Sequence, residues 1–497
     1  MTATTTADTM ARFFEPRSVA VIGASGVAGK PGNVVIKNIL ANGFAGELFL
    51  VNPRGGEIEG RTVYASIDEL PDGVDQAIVT LPAVQTPATV RALGARGITA
   101  IVLAASGFAE VDQMGEALQA ELVRAIRESK VRVIGPNTTG HVSVPGAFTS
   151  SFFPLGKVPR GSVSYVAQTG NFCGISLRHI MSAEHYGVAR SVGLGNKADL
   201  DESDLLEYLG GDPHTKSIFL YLESIKNPRR FLRVARRVSR RKPVIMLKGG
   251  VSEAGAAAAV AHTGALAADG RIVDGALEQA GVTRIFKYSQ LFHVAKALDA
   301  MPLPRGNRVS FLSPSGAFTV CLTDLCRTLG LAVPSFGEAT RARLQAMAPP
   351  FIRVRNPVDI FGSVALHGYE RAYGDALDAV LADRSIDAVV VIMMLTSETG
   401  LPRYDFLVEL TRHYPAKPVY VTFMGAHEHD IAAKAYLEAR GVPCFMQVEE
   451  AFEVLAVLAR CRANVTARRR RTTITRGSDP RESGAAARSR ARAPSPP

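Results

Sequence analysis

Three consecutive doubly wound parallel sheets, an α/β architecture, are what this sequence predicts, and three observations predict it. The chain has 497 residues, 47% of them hydrophobic, enough for about three cores of ordinary size. Up to about residue 140, short β-like apolar runs alternate with segments of helical length. Beyond that point a pattern of strand, small-residue turn and helix occurs twice, in closely similar form.

The elements follow in order. Residues 1–11 are expected to be disordered. Residues 12–142 hold the runs SVAVIG, GELFLVNP, QAIVTLP, AIVLAA and VRVIG, spaced as in a Rossmann-like domain. Residues 145–300 contain SVSYVAQTGNF, SIFLYLES and KPVIMLKGG; residues 305–463 contain RVSFLSPSGAF, DAVVVIMM and KPVYVTFMG. Two flavodoxin-like domains are the economical reading of that duplication. In the second copy the last run leads into GAHEHDIAAKAY, whose His427 and His429 read as solvent-facing. From residue 466 onward RRRR is followed by Gly, Ser, Ala and Pro, with nothing to build a core, and a disordered tail is expected.

Composition excludes several classes. The five cysteines (Cys173, Cys321, Cys326, Cys444, Cys461) form no CxxC pair and have no histidine at zinc-ligand spacing, which fits a reduced, cytoplasmic protein without a structural metal. No apolar leader segment and no run of about 18 apolar residues is present, so neither secretion nor membrane insertion is expected. Net charge is +11, but +7 of it lies in the tail, which has no aromatic residue for base stacking. No specific nucleic-acid partner is expected.

Two places carry chemistry. After SVAVIG comes GASGVAGKPG, in which Gly23, Gly26 and Gly29 let the backbone turn tightly and present N–H groups to a phosphate. The next strand ends Val51, Asn52, Pro53, Arg54, with no acid to hold a ribose diol; Arg54 suits a phosphate. A phosphorylated adenosine, from coenzyme A (CoA) or NADP, fits better than NAD. The second place is His262, in the small-residue run AGAAAAVAHTGALAADG that follows PVIMLKGG. A strand that ends in Gly-Gly brings an imidazole to the carboxyl edge of a sheet. With an unperturbed pKa of about 6.5, the ring is mostly neutral and nucleophilic near pH 7, able to accept a phosphoryl group and pass it on.

The segment KPVIMLKGGVSEAGAAAAVAHTGALA resembles the phosphohistidine loop of the NDP-forming acyl-CoA synthetases, the superfamily of succinyl-CoA synthetase. FFEPRSVAVIGAS, GFAGELFLVNPRGGEIEG, SGFAE, RVIGPNTTG and NPVDIFG match it in order, over residues from 12 to 462. The resemblance implies CoA as cofactor in the first domain, with Ser25, Gly26, Val27, Ala28 and Arg54 on its phosphates. The turns containing Pro82 and Ala83, and Ser106 and Gly107, line the remainder, with Asn52, Pro53 and Asn137 beside them. It makes His262 the phosphoryl carrier and Glu223, at the end of SIFLYLE, its orienting partner. Gln168, Thr169, Gly170 and Asn171 stand at the family's phosphate-binding turn, with Thr169 in place of a serine and Ala167 before Gln168. The acyl pocket is expected to begin at Asn171, Phe172 and Cys173. Gly195 and Asn196, followed by Asp199, resemble a second loop near the phosphate.

The implied chemistry is reversible formation of an acyl-CoA from a carboxylic acid, CoA and ATP or GTP through phosphohistidine and acyl phosphate. In the family the nucleotide and Mg²⁺ are held by an ATP-grasp domain, for which this sequence has no room, and no GxxxxGK[ST] loop occurs. A separate ATP-grasp subunit is therefore expected as partner. Two other readings are a CoA-binding protein without ligase activity and an NADP-linked oxidoreductase; the latter lacks a ribose acid and a Tyr-x-x-x-Lys pair.

Overall fold

A computed structural model describes residues 6–255, 257, 269–395 and 403–476. Among them are three sheets. The first unit contributes β1 (Ser18–Ile22), β2 (Glu47–Val51), β3 (Glu57–Ile58), β4 (Arg61–Tyr64), β5 (Gln76–Val79), β6 (Ala100–Leu103) and β7 (Arg132–Ile134), in the order β3-β4-β2-β1-β5-β6-β7. All neighbours pair in parallel except the β3–β4 hairpin at one edge. Continuous Val, Ile, Leu and Ala runs make these strands, because helices cover both faces and leave no solvent side for polar alternation. The order reverses direction about β1, and such switch points are where open α/β sheets bind ligands. Register places Ile22, Val51, Val79 and Leu103 level, so the residues after them share one rim.

The second sheet holds β8 (His141–Ser143), β9 (Phe148–Thr149), β10 (Arg160–Ala167), β11 (Val188–Gly193), β12 (Ser217–Leu222), β13 (Val244–Lys248) and β14 (Thr283–Ile285), ordered β14-β13-β12-β10-β11-β8-β9. The third holds β15 (Val309–Ser313), β16 (Val358–Asp359), β17 (Ala388–Met393), β18 (Val419–Phe423) and β19 (Cys444–Phe445), ordered β16-β15-β17-β18-β19. Leaving aside the antiparallel β8–β9 hairpin, both have the flavodoxin order 2-1-3-4-5. The duplicated sequence pattern is thus a duplicated topology. The two units also share one core, in which Tyr165, Phe219 and Phe292 of the second join Phe311, Tyr420, Phe452 and Leu455 of the third.

Both chain ends differ from expectation. The first helix begins at Thr6, inside the segment expected to be disordered. Met10, Phe13 and Phe14 fall on one helical face and are buried against Ala100, Val102, Val192 and Leu206, which explains the order. The last described helix, Val448–Arg476, takes in the first eleven residues of the tail expected from 466. Ala and Arg are strong helix formers, and no Gly or Pro intervenes before Gly477.

Candidate functional site

At the rim of the first sheet the chain turns from β1 into the helix Pro31–Ala41. Gly23 and Gly29 adopt φ of +93° and +82°, which explains glycine at both. Gly26 is not left-handed; the glycine that the sequence reading missed is Gly32, where a Cβ would lie 2.2 Å from the Gly23 carbonyl oxygen. It lets the helix pack down on the strand end. The segment from Gly26 to Lys30 is exposed, and Ser25 Oγ accepts the Val27 N–H at 3.1 Å. Asn52 is a clamp: its Nδ2 donates to Ala24 O at 2.9 Å and its Oδ1 accepts the Arg54 N–H at 3.0 Å. Pro53 and Arg54 are exposed beside it. Thr80 Oγ1 reaches the Ile22 and Gly23 carbonyls at 3.1 Å, and a Cβ on Gly107 would lie 3.4 Å from that of Ala83. The Pro82–Ala83 and Ser106–Gly107 turns, which follow the neighbouring strands β5 and β6, therefore meet on one side of the switch point. An open glycine turn that runs into Lys30 and is tied through Asn52 to the Arg54 backbone fits a phosphorylated ligand such as CoA.

The SGFAE turn is held by its own glutamate. Glu110 Oε1 accepts the Gly107 and Phe108 N–H groups at 2.7 and 3.2 Å, and Oε2 accepts from Asn196 Nδ2. Burial opposes ionisation of Glu110, but these donors hold its carboxyl below the usual range. Asn196 also bonds Gln119, and its Oδ1 accepts from Asn137 Nδ2 at 3.3 Å. A Cβ on Gly195 would lie 2.0 Å from Pro136 O. Asn137, Gly195 and Asn196 thus form the seam between the first two units. Asp199 belongs to the same seam, accepting from Arg132 Nε at 2.8 Å and from the Val133 N–H at 2.9 Å.

At the rim of the second sheet, register sets Ala167 level with Gly193 and Tyr221, and Leu222 level with Lys248. The phosphate-turn residues, Glu223 and Gly249 consequently leave the sheet side by side. Glu223 is 7% exposed; Tyr221 Oη donates to its Oε1 at 3.0 Å. Lys248 Nζ donates to the Glu223 carbonyl at 2.6 Å and also to that of Gly249. A Cβ on Gly249 would lie 3.4 Å from Glu223 Cγ and 3.6 Å from Tyr221 Oη. The segment that carries His262 therefore starts in contact with the Tyr221–Glu223 pair. His262 itself lies outside the described residues.

Two expectations at this rim are corrected. Gln168 faces inward rather than toward a ligand: its Oε1 accepts the Glu223 and Ser224 N–H groups at 3.1 and 2.9 Å, and its own N–H donates to Tyr221 O at 2.8 Å. It braces Glu223. Phe172 and Cys173 are fully buried, Phe172 among Tyr165, Tyr288 and Phe292, and so cannot wall an acyl pocket. Burial pushes the Cys173 thiol up to about 12. The turn's outward residues are Thr169, Gly170 and the exposed Asn171. Thr169 Oγ1 accepts the Asn171 N–H at 3.3 Å, and Gly170 O accepts from Thr139 Oγ1 at 2.8 Å.

Lys197 was also missed. It has φ of +55°, is 5% exposed, and donates to Glu202 Oε2 at 3.1 Å, Gln168 Oε1 at 3.2 Å and Ser224 O at 3.0 Å. Burial lowers its pKa against the pull of Glu202. In sequence it resembles any polar loop lysine, so no local signal marks it. Tyr221 did carry one: two residues before Glu223 on a strand, it shares the same face. Among the described residues no three His, Cys, Asp or Glu side chains converge as metal ligands do, and no helix is long and apolar enough to cross a membrane.

Comparison with known proteins follows this layout. A CoA binding domain family matches residues 17–143, and a succinyl-CoA ligase like flavodoxin domain family matches residues 160–298. The alpha subunit of ADP-forming acetate–CoA ligase I from Pyrococcus furiosus is 35% identical over 452 residues, 90% of this chain and 96% of that protein. The ADP-forming acetate–CoA ligase II of Archaeoglobus fulgidus is 34% identical over 448 residues, and there the match spans 89% of this chain but 65% of the longer relative. The structure of Ca. Korarchaeum cryptofilum dinucleotide forming acetyl-coenzyme A synthetase 1, in complex with phosphate and ADP, superimposes with a TM-score of 0.85 at 31% identity, covering 92% of this chain and 98% of that one.

Proposed function

The chain belongs to the family of ADP-forming acyl-CoA synthetases, and from that membership we propose that it is an alpha-type subunit making acyl-CoA reversibly from a carboxylic acid. The observation that carries the reading is the second rim, where Glu223 lies against the start of the His262 segment beside the Thr169–Gly170–Asn171 turn. A neutral His262 nitrogen attacks the γ-phosphorus of ATP and ADP leaves; Glu223 orients the ring and balances its positive charge. A carboxylate oxygen of the acid then attacks the phosphorus, breaking the N–P bond and forming an acyl phosphate. The CoA thiol, delivered from the first rim, attacks the acyl carbon, and inorganic phosphate leaves with the thiol proton. Backbone donors at the phosphate turn offset the phosphate's negative charge through these steps.

ATP and Mg²⁺ are assigned to a separate ATP-grasp subunit, a reading supported by relatives named as alpha subunits over nearly their whole length. The five cysteines are all free, four of them buried, which suits the cytosol. Co-expression with an ATP-grasp chain, followed by γ-labelled ATP, CoA and a panel of carboxylic acids, tests the reading. Label is expected on the wild-type chain and absent from His262→Ala; label retained on the alanine variant would overturn the assignment.

A further inference from the structure

The geometry points to Tyr221 as the positioning residue that fixes the carboxylate of Glu223 for its work on His262, an inference that rests on the function proposed above. Tyr221 stands on β12 and Glu223 directly follows that strand, and the phenol hydroxyl donates to Glu223 Oε1 at 3.0 Å. One held oxygen sets the rotation of the carboxylate plane, which otherwise turns with low barriers about its terminal torsion.

Tyr221 is itself held. Its ring packs edge-on against Tyr288 with centroids 6.2 Å apart, and Tyr288 packs on Phe172 and Phe292 while its hydroxyl meets Ser176 Oγ at 3.3 Å. Tyr221 is thus anchored to the aromatic core behind the phosphate turn. Burial, and then the adjoining Glu223 charge, push the phenol's pKa up, so the hydroxyl stays protonated and serves as donor.

The backbone of Glu223 is secured separately. Gln168 takes its N–H, Lys248 takes its carbonyl, and Lys197 supports Gln168 from below. These contacts place the Cα, and Tyr221 acts on the carboxylate itself, beside Gly249, where the His262 segment begins.

The test uses the full chain with its ATP-grasp partner and compares wild type, Tyr221→Phe, Glu223→Gln and the double variant. Phenylalanine keeps the ring packing and removes only the donor. Loss of one hydrogen bond to a charged group predicts a roughly tenfold slower His262 phosphorylation and kcat, with KM for CoA and acid and the melting midpoint unchanged. In the Glu223→Gln background the same change should cost nothing further. Tyr221→Phe behaving as wild type, losses that multiply in the double variant, or a lowered melting midpoint would overturn the positioning role alone. Glu223→Gln indistinguishable from wild type would overturn the assignment of Glu223, and this inference with it.

Discussion

His141 sits where the first and second sheets meet, fully enclosed by Phe13, Phe14 and Phe148. Its two ring nitrogens are both used: Nε2 donates to the Phe13 carbonyl at 2.6 Å, and Nδ1 accepts from Ser150 Oγ at 2.7 Å. That pairing specifies a neutral ring. Burial, reinforced by the Arg190 charge, lowers its pKa to about 4 although the Phe13 bond opposes the shift. The unfolded chain, with a histidine pKa near 6.5, therefore binds one more proton between pH 6.5 and 4. Stability is fully present above that window and falls by ~1.4 kcal/mol per pH unit from this group as pH drops through it. Urea unfolding at pH 7, 6 and 5 should show this slope in wild type and a slope shallower by about one proton in His141→Asn. Equal slopes would show that His141 is not the group responsible. His427 is exposed, as its sequence context suggests, but no sequence cue marks His141 as buried, because its burial is decided by how two domains meet.

The helix Pro31–Ala41 depends on a contact between elements rather than within one. Gly32 touches the Gly23 carbonyl and the Ala24 Cα, so an added methyl must push the helix off the sheet. Gly32→Ala is expected to cost about 1 to 3 kcal/mol and to weaken CoA binding, measured by thermal melting and calorimetric titration. Gly26→Ala makes the control for stability, since a Cβ there meets only Ile58 Cγ1 at 3.8 Å. If both variants melt alike, the close approach does not govern this turn. Strand runs and their glycine turns were legible in the sequence because period and punctuation are local. Which glycine bears the contact was not, because Gly26 and Gly32 look equivalent until the helix is placed over the strand. The inward turn of Gln168 was hidden for the same reason: its partners, Glu223 and Ser224, come from a strand some fifty residues away.

Across the whole molecule, the second and third units are joined by buried charge as well as by a common core. Lys296 Nζ lies 2.6 Å from Glu184 Oε2 and 2.8 Å from Glu438 Oε1, and Lys434 meets Glu438 Oε2 at 2.7 Å. His293 and Lys296 hold the Glu184 carboxyl well below the usual range although burial opposes it, and Glu438 and Glu184 raise Lys296 despite its burial. Lys296→Met leaves two buried carboxylates short of a partner and is expected to cost roughly 3 to 5 kcal/mol by urea unfolding. Fluorescence and circular dichroism transitions that coincide in wild type should separate in the variant as the two units uncouple; unchanged stability would mean that the cluster is not a joint. The duplication made both units legible, but not their fusion, which depends on side chains facing each other across the copies. The helix Val448–Arg476 inserts Phe452 and Leu455 into the core that Tyr165 and Phe219 began. Synthesis delivers that helix only after both sheets. At about 5 to 20 residues per second, the second unit waits on the order of tens of seconds for its closing residues, while the first unit can fold as it emerges from the ribosome.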